Sequence, residues 1–300
     1  MTQHLPSPQE SPSSKPSPVW VVLGSSGFIG GAVCSGLRAA GITVRTVPAP
    51  RLQSSATDAA GVLAEAAALT AVRSELAAAF AGAGVVVNAA GLATPGGADS
   101  PALRGANSLL PAVIADAADD AGLLRLVHLS SAAVQGHRPF LDETSYVEPF
   151  SAYSRSKALG ERALAARAGG GCSVVTIRAT SVQGPQRPTT AKLARLAASP
   201  LASVAGPGTA PSPVSSVESL VQFIITVGKY TGDVPAVVLQ PWERSTVAGV
   251  LEAAGGRRPV RLPSWLCRLR RQLSVEGGGV RCLELCLRKP GWQSTFLIWI

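Results

Sequence analysis

Val19-Trp20-Val21-Val22-Leu23-Gly24-Ser25-Ser26-Gly27-Phe28-Ile29-Gly30 is the stretch on which the fold turns. Its first five residues are apolar and rich in β-branched side chains. They lack the alternation of a half-exposed strand, so they predict a strand covered on both faces. A glycine stops the run, and the pattern from Phe28 to Ala40, closed by Gly41, predicts a helix. Between them, Gly24 permits a tight turn, Gly27 lets a pyrophosphate approach bare backbone, and Gly30 lets helix and strand pack closely. The first helical turn then offers unbonded N–H groups and the positive end of its dipole to phosphate. Ser26, Phe28 and Ile29 lie among the glycines and join the expected dinucleotide contacts. The competing reading is a glycine-rich turn used for packing alone.

The same strand–helix alternation continues outward. Ile42–Val47 reads as a second strand stopped by Pro48, and residues 52–84 are Ala-rich and mostly helix-like, most clearly over Ser74–Ala81. Val85–Val87 is a strand, and residues 107–121 a helix with Pro111 in its first turn. Leu124–Leu129, Cys172–Ile177 and Val237–Leu239 are further strands, and Ser151–Ala168 a further helix. Unbroken apolar strands alternating with helices predict an α/β fold, a doubly wound parallel sheet of the Rossmann type, with ligands at the carboxyl ends of the strands. The expected organisation is a disordered Ser/Pro-rich tail (1–18), a dinucleotide-binding domain (19–185), and a smaller, mainly substrate-binding part (186–300). Residues 213–241 of that last part are expected to return to the sheet.

Composition narrows the class. The chain has 300 residues, 46% of them hydrophobic, enough for a sizeable core. The net charge of +9 raises the question of nucleic acid, but the excess is local: Arg257–Lys289 holds nine basic residues against Glu276 and Glu284. With no interleaved aromatics, this reads as a solvated face, or as arginines meeting an anionic substrate, and no nucleic-acid partner is expected. Cys34, Cys172, Cys267, Cys282 and Cys286 form neither a CxxC pair nor a paired framework, so no metal or disulfide is expected. No apolar stretch reaches the roughly 20 residues of a membrane span, and residues 1–18 lack a signal-peptide core. A soluble, cytoplasmic protein without membrane association is expected.

The end of the second strand bears on cofactor choice. Pro48 stands where an acid would bond a ribose 2′-hydroxyl, while Arg45 and Arg51 flank the turn. NADP(H) is therefore favoured, with NAD(H) the alternative and Arg51 the candidate partner of a 2′-phosphate. Asn88-Ala89-Ala90-Gly91 closes another strand with a small-residue turn able to lie against the cofactor. Asn107 either supports the active-site lysine through water or caps its helix.

Tyr153 and Lys157 stand at i and i+4, on one helical face. A free phenol has a pKa near 10, and a neighbouring ammonium stabilises the phenolate, which suits Tyr153 to general acid–base work. Lys157 is also placed to hold the nicotinamide ribose. Ser131, with Ser130 second, follows a strand and is suited to polarise a reacting carbonyl or hydroxyl. Local backbone bonding is the competing role for both serines.

With these residues in view, the chain resembles the extended short-chain dehydrogenases/reductases, the nucleotide-sugar epimerase/dehydratase group. The resemblance is carried by VVLGSSGFIG (21–30), VVNAAG (86–91), LVHLSSAAVQG (126–136), LDETSYVEPFSAYSRSKALGE (141–161) and VVTIRATSVQGP (174–185). It implies hydride transfer between a nicotinamide and a sugar carbon of a nucleotide-diphosphate sugar, with Ser131, Tyr153 and Lys157 as catalytic group. It also implies a homodimer through the region of the Tyr-bearing helix. Three departures matter. Ala132-Ala133 replace the acidic pair of the dehydratases, which sets dehydration aside, and Gln135 replaces the family's aromatic before Gly136, altering the substrate pocket. The acid that often contacts adenine has no counterpart in residues 52–70. A keto-sugar reductase is the leading expectation, an epimerase with retained NAD the alternative, and a non-catalytic dinucleotide sensor the third.

Overall fold

Strand β1 (Val19–Leu23) runs into the glycine turn and helix α1 (Phe28–Ala39), followed by strand β2 (Val44–Val47). The computed structural model describes residues 19–93, 97–138 and 140–263; the expected tail, most of the basic segment, and Cys267, Cys282 and Cys286 lie outside them. After β2 come helices α2 (Ala59–Ala68) and α3 (Thr70–Phe80), then β3 (Ala83–Asn88). Helix α4 (Pro101–Arg104) passes through a π-helical turn (Gly105–Leu109) into α5 (Leu110–Asp120), which leads to β4 (Arg125–Ser131) and a 3₁₀ turn (Ala132–Gln135). Helix α6 (Ala152–Ala166) precedes β5 (Ser173–Ala179) and β6 (Ser181–Gln183). The remainder comprises α7 (Pro188–Ala198), β7 (Ser203–Ala205), β8 (Val214–Ser216), α8 (Val217–Lys229), β9 (Val237–Leu239), α9 (Val247–Gly255) and β10 (Val260–Leu262).

Six strands form one parallel sheet in the order β2-β1-β3-β4-β5-β9. Side chains along β1 alternate between its faces: Trp20 and Val22 enter the core shared with α1 and α8, Val21 and Leu23 the core shared with α2, α3, α5 and α6. Both cores are closed, which is why the strands read as continuous apolar runs. Each Val or Leu so buried contributes roughly 2 kcal/mol. Strand order reverses between β2-β1 and β1-β3, so the carboxyl ends of β1 and β3 border the crevice where such sheets bind ligands.

The helix expected from residue 107 starts earlier. Ser100 accepts from the Leu103 N–H, and Pro101 supplies the preset φ of a first turn. Pro111, which has no N–H to donate, follows directly on the π-helical turn that the Leu110 N–H closes on the Gly105 carbonyl. Residues 52–57 are not helical. They cross against the π turn, where the Leu52 carbonyl fills the space a Cβ on Gly105 would need, and Ser54 N–H bonds Pro101 O at 3.0 Å.

Beyond β5 the strands are short, three residues each. Strand β6 pairs with β8 and β7 with β10, away from the main sheet, and α7 packs on α9 around Leu193, Ala197, Val204, Val250 and Leu251. Within residues 213–241, α8 covers the α1 face of the sheet and β9 pairs with β5 at its edge.

Candidate active site

The turn after β1 is shaped by backbone contact. Gly24 has φ +79°, and a Cβ there would stand 2.6 Å from Ala90 N, so this turn and the one after β3 touch. A Cβ on Gly30 would collide with the Gly24 carbonyl. Gly27 begins α1 with no side-chain cap, so the first-turn N–H groups face the crevice unclaimed, as a pyrophosphate requires. Asn88 builds the second turn: its Oδ1 accepts from Ala90 N at 3.1 Å, and its Nδ2 meets His128 Nδ1 at 3.1 Å across the β3–β4 pairing. A Cβ on Gly91 would lie 2.8 Å from Asn107 Oδ1 and 3.1 Å from Lys157 Nζ, which brings Gly91, Asn107 and Lys157 together.

Asn107 does not cap its helix. It sits inside the π turn, fully buried, donating to Leu92 O and Ser156 Oγ, each at 2.9 Å, and accepting from Leu92 N at 3.0 Å. It therefore clamps the loop after β3 onto α6.

Strand β4 ends with two serines on opposite faces. Ser131 Oγ accepts from Ala133 N at 3.2 Å and is hydrogen-bonded to the Tyr153 hydroxyl. Ser130 is buried, and its Oγ has no partner among the described residues. Helix α6 is started by a capping box between Ser151 and Ser154, which sets Tyr153 in its first turn. Burial pushes the Tyr153 phenol above its ordinary value, while the Ser131 hydrogen bond and the charge of Arg187 pull it back. Lys157 is buried, donates from Nζ to Leu129 O at 2.8 Å, and is pushed down to about 8 by desolvation, against the opposing charge of Glu161. The charge of Arg187 acts on the phenol, and Lys157 is bonded to the strand carbonyl of Leu129. The reason is that a buried ammonium needs an acceptor, and the strand carbonyl supplies it.

Arg187 was not found from sequence. Its guanidinium lies 5.9 Å above the Phe28 ring centroid and donates to Val182 O, linking the glycine turn to the tyrosine. An arginine in a Pro-rich loop carries no signal of that position. Of the two arginines flanking β2, Arg45 is consumed at the end of α3, donating to Ala79 O at 2.9 Å and Ala81 O at 3.0 Å. Arg51 is exposed and makes no side-chain bond among the described residues. Asp58, the first acid after β2, caps α2 through Gly61 N at 2.8 Å. Gln135 is fully buried with both ends of its amide on Asp142, at 2.6 and 2.9 Å, so it anchors the following loop. Asp142, bonded to Thr144 and Gln135, is held at about 2. Among the described residues no three His, Cys, Asp or Glu gather to hold a metal, and no helix is long and apolar enough to cross a membrane. Cys34 and Cys172 are buried and unbridged.

A dinucleotide crevice with a Ser–Tyr–Lys group at its edge defines a nicotinamide-dependent short-chain oxidoreductase class. The chain belongs to the NAD-dependent epimerase/dehydratase family, whose model matches residues 20–224. Among solved structures it is similar to MoeE5 in complex with UDP-glucuronic acid and NAD, at 22% identity over 81% of this chain and 84% of that one, TM-score 0.58. It is also similar to the UDP-glucuronic acid 4-epimerase of Bacillus cereus with NAD (18%, 81% and 85%, TM-score 0.60). A third is the dTDP-4-dehydrorhamnose reductase of Bacillus anthracis with NADP (15%, 84% and 86%, TM-score 0.61). At these identities the likeness is one of fold. A comparison with curated proteins finds no match.

Proposed function

We propose that the chain transfers a hydride between a nicotinamide cofactor and a sugar carbon of a nucleotide-diphosphate sugar. The observation that carries this reading is the hydrogen bond between Ser131 and the Tyr153 hydroxyl, at the carboxyl end of the sheet and beside the glycine turn. The bound nicotinamide supplies or accepts the hydride. Tyr153 exchanges a proton with the oxygen on the reacting carbon, and Ser131 donates a hydrogen bond to the same oxygen. The Lys157 ammonium holds the nicotinamide ribose from beside Gly91, with Gly24, Ser26, Gly27, Phe28, Ile29 and Gly30 at the pyrophosphate and Asn88–Gly91 along the dinucleotide. Arg187, half-buried between Phe28 and Tyr153, suits an anionic substituent near the reacting carbon.

Two directions of use remain in contention, each with its own support. Net reduction of a keto-sugar nucleotide with NADP(H) is supported by the exposed Arg51 and by the missing acid at Pro48. Epimerisation with retained NAD is supported by the likeness to UDP-sugar 4-epimerase structures in complex with NAD. The test is cofactor titration and turnover of a panel of UDP- and dTDP-sugars and their 4-keto forms. Tyr153→Phe should bind cofactor as wild type does and turn over roughly 10²–10⁴-fold more slowly. Stoichiometric NADPH consumption identifies the reductase, and isomer exchange without net consumption the epimerase. Failure of wild type to bind either dinucleotide would sink both.

A further inference from the structure

Lys157 and Glu161 stand four residues apart on α6, the spacing at which a lysine and a glutamate ordinarily pair across one helical turn. In this chain the pair is split, and each partner is taken by a different strand. Lys157 Nζ bonds Leu129 O on β4. The Glu161 carboxylate is gripped by Arg178 on β5, with Nη2 2.8 Å from Oε2 and Nε 3.2 and 3.3 Å from Oε2 and Oε1. The remaining arm of Arg178, Nη1, donates to Thr144 O at 2.7 Å and Asp142 O at 3.1 Å. The guanidinium is thus fixed on both sides. Relative exposures are 4% for Lys157, 6% for Glu161 and 1% for Arg178, so water screens none of these charges.

We propose that Arg178 is a positioning residue for the active site: it holds the Glu161 carboxylate against β5 and so leaves the Lys157 ammonium turned toward Gly91 without a carboxylate partner. This rests on the reading of Lys157 as the group that holds the nicotinamide ribose. A closed Lys157–Glu161 pair would be neutral and would spend the lysine's donors on its own helix. The split pair keeps a cation beside the cofactor turn. The other groups around the ammonium do not replace the carboxylate. On β4, His128 is neutral, pushed well below its ordinary value by burial and by Lys157 itself. On the π turn, Asn107 presents an amide oxygen committed to Leu92 N. On α6, Tyr153 is a protonated phenol, raised by burial. Burial lowers this ammonium to about 8, against the opposing charge of Glu161.

The test is a pH titration of ¹³Cε-labelled lysine by NMR, with Lys157 assigned by its loss in Lys157→Met and with Lys192 and Lys229 as internal references. In Arg178→Met the released carboxylate can turn to the ammonium, and the Lys157 midpoint should rise by about one unit or more. In Glu161→Gln the ammonium loses its nearest opposing charge while Arg178 remains, so the midpoint should fall below the wild-type value. A purely structural ion pair would lower melting temperature in both variants and move the midpoint in neither direction. Unchanged midpoints, or shifts of the same sign, overturn the proposal. If Arg178→Met does not fold, near-isosteric Glu161→Gln decides alone: a midpoint at or above wild type overturns it. Cofactor titration of the same proteins keeps the two readings apart. A wild type that binds no dinucleotide defeats the role of Lys157 in cofactor binding, whatever the midpoints show.

Discussion

The sheet and the small carboxyl-terminal lobe use similar side chains on different plans. In the sheet, each strand is buried on both faces, between one core under α1 and α8 and another under α2, α3, α5 and α6. In the lobe, strands of three residues pair two by two around a small cluster centred on Leu193, Val204 and Leu251. The junction between them is polar and buried. Thr180 Oγ1 and Ser215 Oγ lie 2.8 Å apart, Gln240 Nε2 donates to Ser215 Oγ at 2.7 Å, and Gln240 Oε1 accepts from Thr180 N at 3.2 Å. Such a network is directional, so it sets one orientation of the lobe against the sheet. The difference teaches where rigidity is placed. Backbone-to-backbone contact at the glycine turns tolerates no added atom, whereas the lobe is joined by strands of only three residues.

That contrast can be broken at three points. The largest effect is expected from Gly30→Val, which drives a branched side chain into the Gly24 carbonyl. Overpacking of this kind costs about 1–3 kcal/mol or more, and here it also displaces the phosphate turn. Dinucleotide affinity, read by calorimetry, should fall at least about 100-fold, equivalent to roughly 2.7 kcal/mol. Retained affinity would show that the turn is not the binding element. Next, Leu193→Ala removes a fully buried side chain from the lobe and should cost about 2–5 kcal/mol locally. If the lobe serves the substrate, hydrogen exchange there should rise and KM for the sugar nucleotide increase, while dinucleotide affinity stays within about twofold, below 0.5 kcal/mol. An equal loss of dinucleotide affinity would mean that the two regions form one cooperative unit. The smallest effect is expected from Arg51→Ala, an exposed residue. It should weaken NADPH about tenfold, about 1.4 kcal/mol, and leave NADH unchanged. Equal affinities for NADPH and NADH in wild type, with no change in the variant, would favour NAD and the epimerase reading.

Legibility in the sequence followed the same division. Gly24, Gly27 and Gly30 directly after Val19–Leu23, and Tyr153 four residues before Lys157, are local patterns, and the structure places them on the elements the patterns predicted. The helix starts at Pro101, with Ser100-Pro101 as its start signal, whereas in the sequence Pro111 reads as a first-turn residue and places the start near 107. Helix α6, expected to supply a dimer face, packs against α2 and the π turn and leaves Arg155, Arg162, Ala165 and Ala166 exposed. The Ala-rich composition of residues 59–68 gives no hint of that packing, since helix-like composition does not say which face a helix will cover.

The sequence by itself determined the parallel α/β plan, the phosphate turn, and which tyrosine and lysine share a helical face, because each depends on a period or spacing within one segment. Only the tertiary structure decided that Ser131 rather than Ser130 meets the tyrosine, that the charge of Arg187 acts on it, and that Arg178 takes Glu161 from Lys157. Those outcomes join residues from separate strands and helices. They are settled by strand ends, side-chain reach and burial, which no pattern within a single segment encodes.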